Sequence, residues 1–410
     1  MKDKNMAMAY RVAKKVDKAG GRTFFVGGIV RDRLMGVECK DIDIEVHGIP
    51  AKRLIEILDS IGEHTEMGAS FGIYGLRHYE IDIAMPRSEK ATGRGHKDFD
   101  VFTDPFLGEE KAARRRDFTI NAMMENVLTG EIKDFFGGRS DLEKKILRHV
   151  DDASFVEDPL RVLRGAQFAA RFGFSTDQKT IELCRKMDLS ALPCERIMGE
   201  LEKALLKAER PSIFFRLLEE MRQLDFWFEE YAALSGKERA ETDALLDNAA
   251  RQRENARYPL YFMMSALCLR MRNAKSFTEK LSRENDMRVY VENICMLSKN
   301  VRALSAESES DEGWNVLFDK TVCPEDMLLL AYCAAGENVP RKNKEKLEEY
   351  KTLMTKPGVM GRDLIEAGLK PGKNFSEYLN FAHNLHLKGI EKGEALQKTL
   401  EFAKKDSKNP

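Results

Sequence analysis

The stretch Phe24 to Glu45, FFVGGIVRDRLMGVECKDIDIE, orders the rest of the chain around it. Phe24, Phe25 and Val26 read as a buried strand. Gly27-Gly28 then let the backbone approach a ligand with no side chain in the way. A helix beginning near Ile29 would aim its free amide groups and positive dipole end at an anion. In Asp41-Ile42-Asp43-Ile44-Glu45 the period is two, so on a strand Asp41, Asp43 and Glu45 share one face and Ile42 and Ile44 the other. Carboxylates crowded on one face repel each other unless a divalent cation neutralises them, and hard oxygen ligands suit Mg²⁺. An isolated Asp-x-Asp also fits the solvated face of an edge strand, but the glycine pair about a dozen residues upstream favours a metal and phosphate site.

Three ordered blocks then resemble a known family. Gly27-Gly28-x-Val30-Arg31-Asp32 with Leu34, Gly36 and Asp41-x-Asp43 resembles the first motif of the class II nucleotidyltransferases, which comprise bacterial-type CCA-adding enzymes and poly(A) polymerases. Arg115-Arg116-Asp117-Phe118-Thr119-Ile120-Asn121-Ala122-Met123 and Glu157-Asp158-Pro159-Leu160-Arg161-Val162-Leu163-Arg164 resemble later motifs in the same order. The resemblance implies an α+β chain: an N-terminal nucleotidyltransferase head of the polymerase-beta type with a small mixed sheet, then an all-α neck, body and tail. It also implies addition of CCA to a tRNA 3′ end from CTP and ATP by a two-metal mechanism, with no nucleic acid template and with release of pyrophosphate. Asp41 and Asp43, joined by Asp82 from Tyr79-Glu80-Ile81-Asp82-Ile83, would hold Mg²⁺ and form the catalytic centre. Gly28, Arg31, Arg115 and Arg116 would bind nucleotide phosphates. Asp158 and Arg161, with Arg164 beside them, would address the Watson-Crick edge of the incoming base. Where the family commonly has a further arginine, this chain has Gln167, which weakens any phosphate contact there. A poly(A) polymerase would share every catalytic residue, as would an enzyme adding only CC or only A. A non-catalytic RNA-binding protein is the alternative from another class.

Composition sets outer bounds. The 410 residues are long for one core, and 43% apolar with 33% charged residues describe a globular, helix-rich chain. No apolar run reaches the roughly 18 residues of a membrane span, and MKDKNMAMAYRVAKKV lacks a signal core, so no membrane partner and a cytoplasmic location are expected. The net charge of −1 does not exclude RNA, because clustering of Lys and Arg on one face decides binding. Seven scattered cysteines without a C-x-x-C read as small buried hydrophobes.

Along the chain, residues 5–18 and 50–61 have helical spacing, and 71–76 and 78–85 read as strands. Residues 88–111 show neither period and read as a mobile loop beside the site, where Arg94, His96 and Lys97 are candidates to touch phosphate or help move the primer end, the alternative being a solvated loop with no direct role. Arg114-Arg115-Arg116 reads as the start of an apolar helix over 118–124, an arrangement its dipole disfavours unless anions answer it. The expected divisions are a head over 1–150, a neck over 151–210, a body over 211–345 and a tail over 346–410. Gly361-Arg362-Asp363-Leu364-Ile365 and Gly368-Leu369-Lys370-Pro371-Gly372 resemble the family's tail. With Lys370, Lys373 and Lys388 it would hold a tRNA elbow by backbone contacts. The expected partners are therefore tRNA, through its 3′ end and elbow, and the substrates CTP and ATP; a homodimer is left open.

Overall fold

Strand β1 (Arg22–Val26) forms because Phe24 and Phe25 are fully buried between neighbouring strands, and it stops at Gly27, whose φ of 70° a side chain would strain. A computed structural model of the chain describes residues 2–39, 41–66, 72–91, 99–307 and 311–406. Helix α1 (Lys2–Lys18) packs on the sheet through Ala9, Val12, Ala13 and Val16, all of them buried. Helix α2 (Gly28–Leu34) starts at the glycine pair as the sequence predicts. Strand β2 (Ile42–His47), helix α3 (Ala51–Asp59) and strands β3 (His64–Glu66), β4 (Ile73–Leu76) and β5 (Ile81–Ala84) follow.

The seven-stranded sheet runs β3-β4-β5-β2-β1-β8-β9, with β8 at Met124–Asn126 and β9 at Ile132–Lys133. It is mixed: β2 and β5 are parallel and the other pairs antiparallel. A parallel pair needs a long crossover, and α3, β3 and β4 supply it.

Two expectations change here. Within 88–111 the described residues are not irregular: β6 (Arg87–Ala91) and β7 (Phe99–Thr103) pair antiparallel, and α4 (Glu109–Arg114) follows. Phe99-Asp-Val-Phe-Thr alternates with strand period, a signal hidden by the Gly-rich run before it. Arg94, His96 and Lys97 lie outside the described residues. The arginine triplet ends a helix rather than starting one, so its charge favours the dipole at the C-terminus of α4. Residues 118–124 hold only a single 3₁₀ turn, Thr119–Asn121, before β8, because Phe118, Ile120, Met123 and Met124 are buried on several sides rather than along one stripe.

The first of two compact units comprises Met1–Ala204 and Ile213–Leu224. Beyond the sheet it holds α5 (Gly138–Glu143), β10 (Ile146–Leu147), α6 (Asp152–Phe155), α7 (Leu160–Phe172), β11 (Ser175–Thr176), α8 (Gln178–Cys184) and most of α9 (Cys194–Lys207). Helix α7 crosses close to Phe118, since a Cβ on Gly165 would stand 3.1 Å from that ring. Phe118, Phe155 and Phe168 meet edge to face there, a geometry aromatic quadrupoles favour. The second unit, Leu205–Ser212 with Asp225–Pro410, is helical, from Glu229–Ala232 to Lys392–Asp406, with no strand among the described residues. Its Met263 and Met264 are core, as their spacing implies. No helix of the described residues is long and apolar enough to cross a membrane. None of the seven cysteines is in a disulfide, and five are buried.

Candidate active site

The crossover places β5 beside β2 in parallel register, with Asp43 opposite Asp82 and Ile42 opposite Ile81. Residues opposite one another in a ladder project to the same face, so Asp43 and Asp82 stand side by side although 39 positions apart in sequence. Asp41 lies just before β2. The Asp43 carboxyl is pushed up to about 6, first by burial, then by the charge of Asp82, with Asp41 adding to it and Arg116 opposing it. The three acids named from sequence therefore act on one another. Among the described residues no group of three or more His, Cys, Asp and Glu is placed to hold a metal ion. One or two carboxylates left open to substrate phosphates and water is the donor set that suits Mg²⁺.

The sign of the Asp43 shift sets a pH dependence. Its ordinary value is 3.8, so between there and about 6 the folded chain holds a proton that the unfolded chain has lost. The contribution of this group to stability is full below pH 3.8 and disappears as pH rises through 6, a loss on the order of 2 to 3 kcal/mol. Thermal melts of the metal-free protein are expected to show that slope, and Asp43→Asn is expected to flatten it and to melt above wild type at pH 7. An unchanged slope in the variant would assign the shift elsewhere.

The glycine turn lies against the acids. A Cβ on Gly27 would meet Arg116 Nη1 at 3.3 Å and Asp43 Oδ2 at 3.8 Å, so the missing side chain leaves room where carboxylate and guanidinium face the backbone. Gly28 opens α2, and a Cβ there would be 3.4 Å from Arg31 Nη2. Arg31 itself is buried: Nε and Nη2 donate to Asp32 Oδ1 at 2.8 and 2.6 Å, Nη1 donates to Asn121 Oδ1 at 2.6 Å, and the guanidinium lies 4.7 Å from the centre of the Phe172 ring. Burial lowers its pKa. These contacts brace α2 from behind the turn.

A cavity of about 380 Å³ opens beside the turn, lined among others by Glu45, Arg115, Arg116, Asp158, Arg161, Arg164 and Arg196. Asp158 precedes α7 instead of lying on it. Its Oδ1 accepts from Leu160 N at 3.1 Å and so holds the helix start, and its Oδ2 accepts from Arg196 Nη2 at 2.8 Å. Arg161 donates from Nη1 to Ser154 O at 2.6 Å and from Nη2 to Arg115 O at 2.7 Å. A carboxylate has about four acceptor positions and a guanidinium five donors, so both keep hydrogen-bonding capacity after these contacts. The result is an acceptor and a donor fork clamped side by side on one cavity wall.

Asp117 and Asn121 brace the cavity wall by hydrogen bonds. Asp117 Oδ2 accepts from Arg164 Nε at 2.7 Å and pairs with Arg164 Nη2 at 2.6 Å; its Oδ1 accepts from Phe118 N at 2.7 Å and from Asn121 Nδ2 at 3.0 Å. These bonds hold the Asp117 carboxyl below its usual range against a burial that pushes it up. Through Asn121 Oδ1 and Arg31 the chain of contacts runs on to α2, so a continuous buried relay joins the cavity wall to the glycine turn. Arg115 donates to Arg87 O on β6. Gln167 is 1% exposed with Nε2 unpartnered, so it is part of the packing of α7.

Glu195-Arg196-Ile197 with Glu200-Leu201 and Lys203 resembles a further helical motif of the same family, but the sequence gives Arg196 no partner, because it reaches Asp158 across 38 positions. The roles of Glu45 and Arg87 in lining the cavity also escape it. For Glu45 a signal exists, its place two residues after Asp43 on the same strand face.

Residues 23–148 match the family described as Poly A polymerase head domain. The particular relatives carry a narrower name. The chain is 41% identical over 221 residues to the Multifunctional CCA protein of Haemophilus ducreyi, 52% of each chain, and 40% identical over 210 residues to the CCA-adding enzyme of Marinobacter nauticus, 50% of this chain and 54% of that one. The chain thus spans about half the length of the curated relatives it matches. Its fold is similar over 97% of its length to the Bacillus stearothermophilus CCA-adding enzyme in complex with CTP, with a TM-score of 0.76 at 20% identity and 98% of that chain covered. It is also similar to the Thermotoga maritima CCA-adding enzyme complexed with tRNACCA, with a TM-score of 0.68 at 22% identity, 97% of this chain and 95% of that one.

Proposed function

We propose that the chain is a tRNA nucleotidyltransferase that adds CCA to the tRNA 3′ end from CTP and ATP and releases pyrophosphate. The observation that carries this reading is the parallel register of Asp43 and Asp82 beside a glycine turn, next to a cavity walled by Asp158 and Arg161. The names of its relatives and of the CTP- and tRNA-bound structures with the same fold support it. Asp41, Asp43 and Asp82 would hold Mg²⁺, which supplies activation of the primer hydroxyl and charge relief on the leaving oxygen. The primer O3′ forms a bond to the α-phosphorus as the bond to pyrophosphate breaks. Arg115 and Arg116 take the triphosphate charge, Gly28 presents the amide end of α2, and Arg31 keeps that helix in place. Asp158 and Arg161, fixed by Arg196 and by two backbone carbonyls, offer the acceptor and donors that stand in for a pairing base. Arg164, tied to Asp117, holds that helix at its distance from the acids.

The work of the protein in this reading is positioning and neutralisation. In the helical unit, the tail over 346–410 with Lys370, Lys373 and Lys388 is assigned to the tRNA elbow; Lys388 pairs with Glu312 at 2.9 Å.

The deciding experiment is product length on tRNA lacking CCA. CTP alone is expected to add two residues and stop, and CTP with ATP to add one further A. Long A tracts from ATP alone would replace this reading with poly(A) synthesis, which the name of the matching head domain keeps in view. Arg161→Ala is expected to lower selectivity among the four nucleotides about tenfold or more, the effect of losing a charged hydrogen-bond donor of 1.5–3 kcal/mol. Competition assays with all four triphosphates measure it, and undiminished selectivity would remove Arg161 from base reading.

A further inference from the structure

We propose that Glu45 is a positioning residue, which holds the Arg116 guanidinium against the glycine turn as the fork that meets the incoming triphosphate. The inference rests on the nucleotidyl-transfer reading and adds to it a residue that the motifs leave unassigned.

Glu45 follows Asp43 by two positions on β2 and so projects to the same side of the sheet, but it is only 8% exposed. Each oxygen of its carboxylate has a partner. Oε1 is hydrogen-bonded to His47 Nε2 at 2.8 Å, and Oε2 accepts from Arg116 Nη2 at 3.2 Å. His47 is itself immobile: it is 2% exposed and meets the Phe24 ring edge to face at 5.4 Å. Phe24 pairs with Glu45 across the β1–β2 ladder. The carboxylate is thus anchored on one side by a buried imidazole seated on the central strand, and its other oxygen reaches a guanidinium.

That guanidinium is in an unusual position. Arg116 Nη1 would stand 3.3 Å from a Cβ at Gly27, so the fork rests against backbone that carries no side chain. Its Nε is buried without a hydrogen-bond partner. Of five donors, the contacts to described residues use one. A buried ion pair is poor value for stability alone, since well-packed apolar residues of the same volume serve as well or better. A pair that spends one donor and lines the cavity with its guanidinium suits a ligand with many acceptor oxygens. Without Glu45 the long arginine side chain has no fixed rotamer at the turn, and its ordering would fall on the nucleotide at each binding event.

The test is a cycle of Glu45→Gln, Arg116→Ala and the double variant, assayed on tRNA lacking CCA with CTP, together with ¹⁵N NMR of the Arg116 side chain, assigned by its loss in Arg116→Ala. Glu45→Gln is expected to raise the KM for CTP about tenfold with kcat within threefold, to cost nothing further in the Arg116→Ala background, and to turn a restricted guanidinium signal into an averaged one. Glu45→Asp, which keeps the charge and shortens the reach, is expected to give an intermediate KM and covers the case in which Glu45→Gln does not fold. A loss confined to kcat, additive losses in the cycle, or a guanidinium equally restricted in Glu45→Gln would overturn the proposal. If wild type incorporates neither CTP nor ATP, the nucleotidyl-transfer reading fails, and the NMR comparison still decides whether Glu45 holds Arg116.

Discussion

Asp43→Ala is expected to abolish nucleotide incorporation, by about 10³-fold or more, while the protein stays folded. Asp43 is the acid most affected by its neighbours: Asp82 stands opposite it in the ladder, Asp41 adds to its charge burden, and Arg116 relieves part of it. In the proposed reading, removing it takes away the central ligand for a cation that would contribute several kcal/mol at the reacting phosphorus, where each 1.36 kcal/mol is a factor of ten. Folding is not expected to suffer, because the substitution ends a repulsion between like charges. Incorporation of labelled CTP into tRNA lacking CCA gives the rate, and melting with and without Mg²⁺ gives the cause. Mg²⁺ is expected to raise the Tm of wild type and not of the variant, because a ligand stabilises only the fold it binds. Residual activity within tenfold of wild type would exclude Asp43 as a metal ligand.

The second large effect falls on stability. Asp117→Ala is expected to destabilise the first unit by about 3–5 kcal/mol, the cost of leaving one partner of a buried ion pair alone. The substitution frees four donors at once: Arg164 Nε and Nη2, Asn121 Nδ2 and Phe118 N. Asn121 would also lose the bond that orients its carbonyl toward Arg31. For a unit of this size the shift is roughly 10 °C in Tm or more. Asp117→Asn retains an acceptor and is expected to lose less. A melt of Asp117→Ala within 2 °C of wild type would show that water or rearrangement replaces the carboxylate.

What the sequence disclosed of this site follows from where its signals are local. The glycine pair, the Asp-x-Asp alternation and the start of α7 each lie within a few residues, and the structure forms β1, α2, β2 and α7 there. Asp82 was readable as a second carboxylate-bearing strand, but its register against Asp43 depends on the crossover between them and on no local pattern. Glycine and charge break the alternation that would announce the β6–β7 pair, and the arginine triplet suggests the wrong end of a helix because α4 is only six residues long. Arg196 stands in a stretch that resembles a helical motif of the family, but its contact with Asp158 is not legible there. Its partner lies in another helix segment, and nothing in the residues flanking either one announces a pair. Local periodicity encodes elements, whereas side chains that meet across elements are set by packing.

The buried relay from Arg164 through Asp117 and Asn121 to Arg31 has an implication for descent. Each member donates to or accepts from the next with little slack, so a replacement at one station leaves a neighbour stranded in a dry interior. Such positions are not free to drift singly; change at one is tolerated only in the company of change at the others, and measured effects of paired substitutions should fall well short of their sum. The four residues are therefore one heritable character written at four places in the chain.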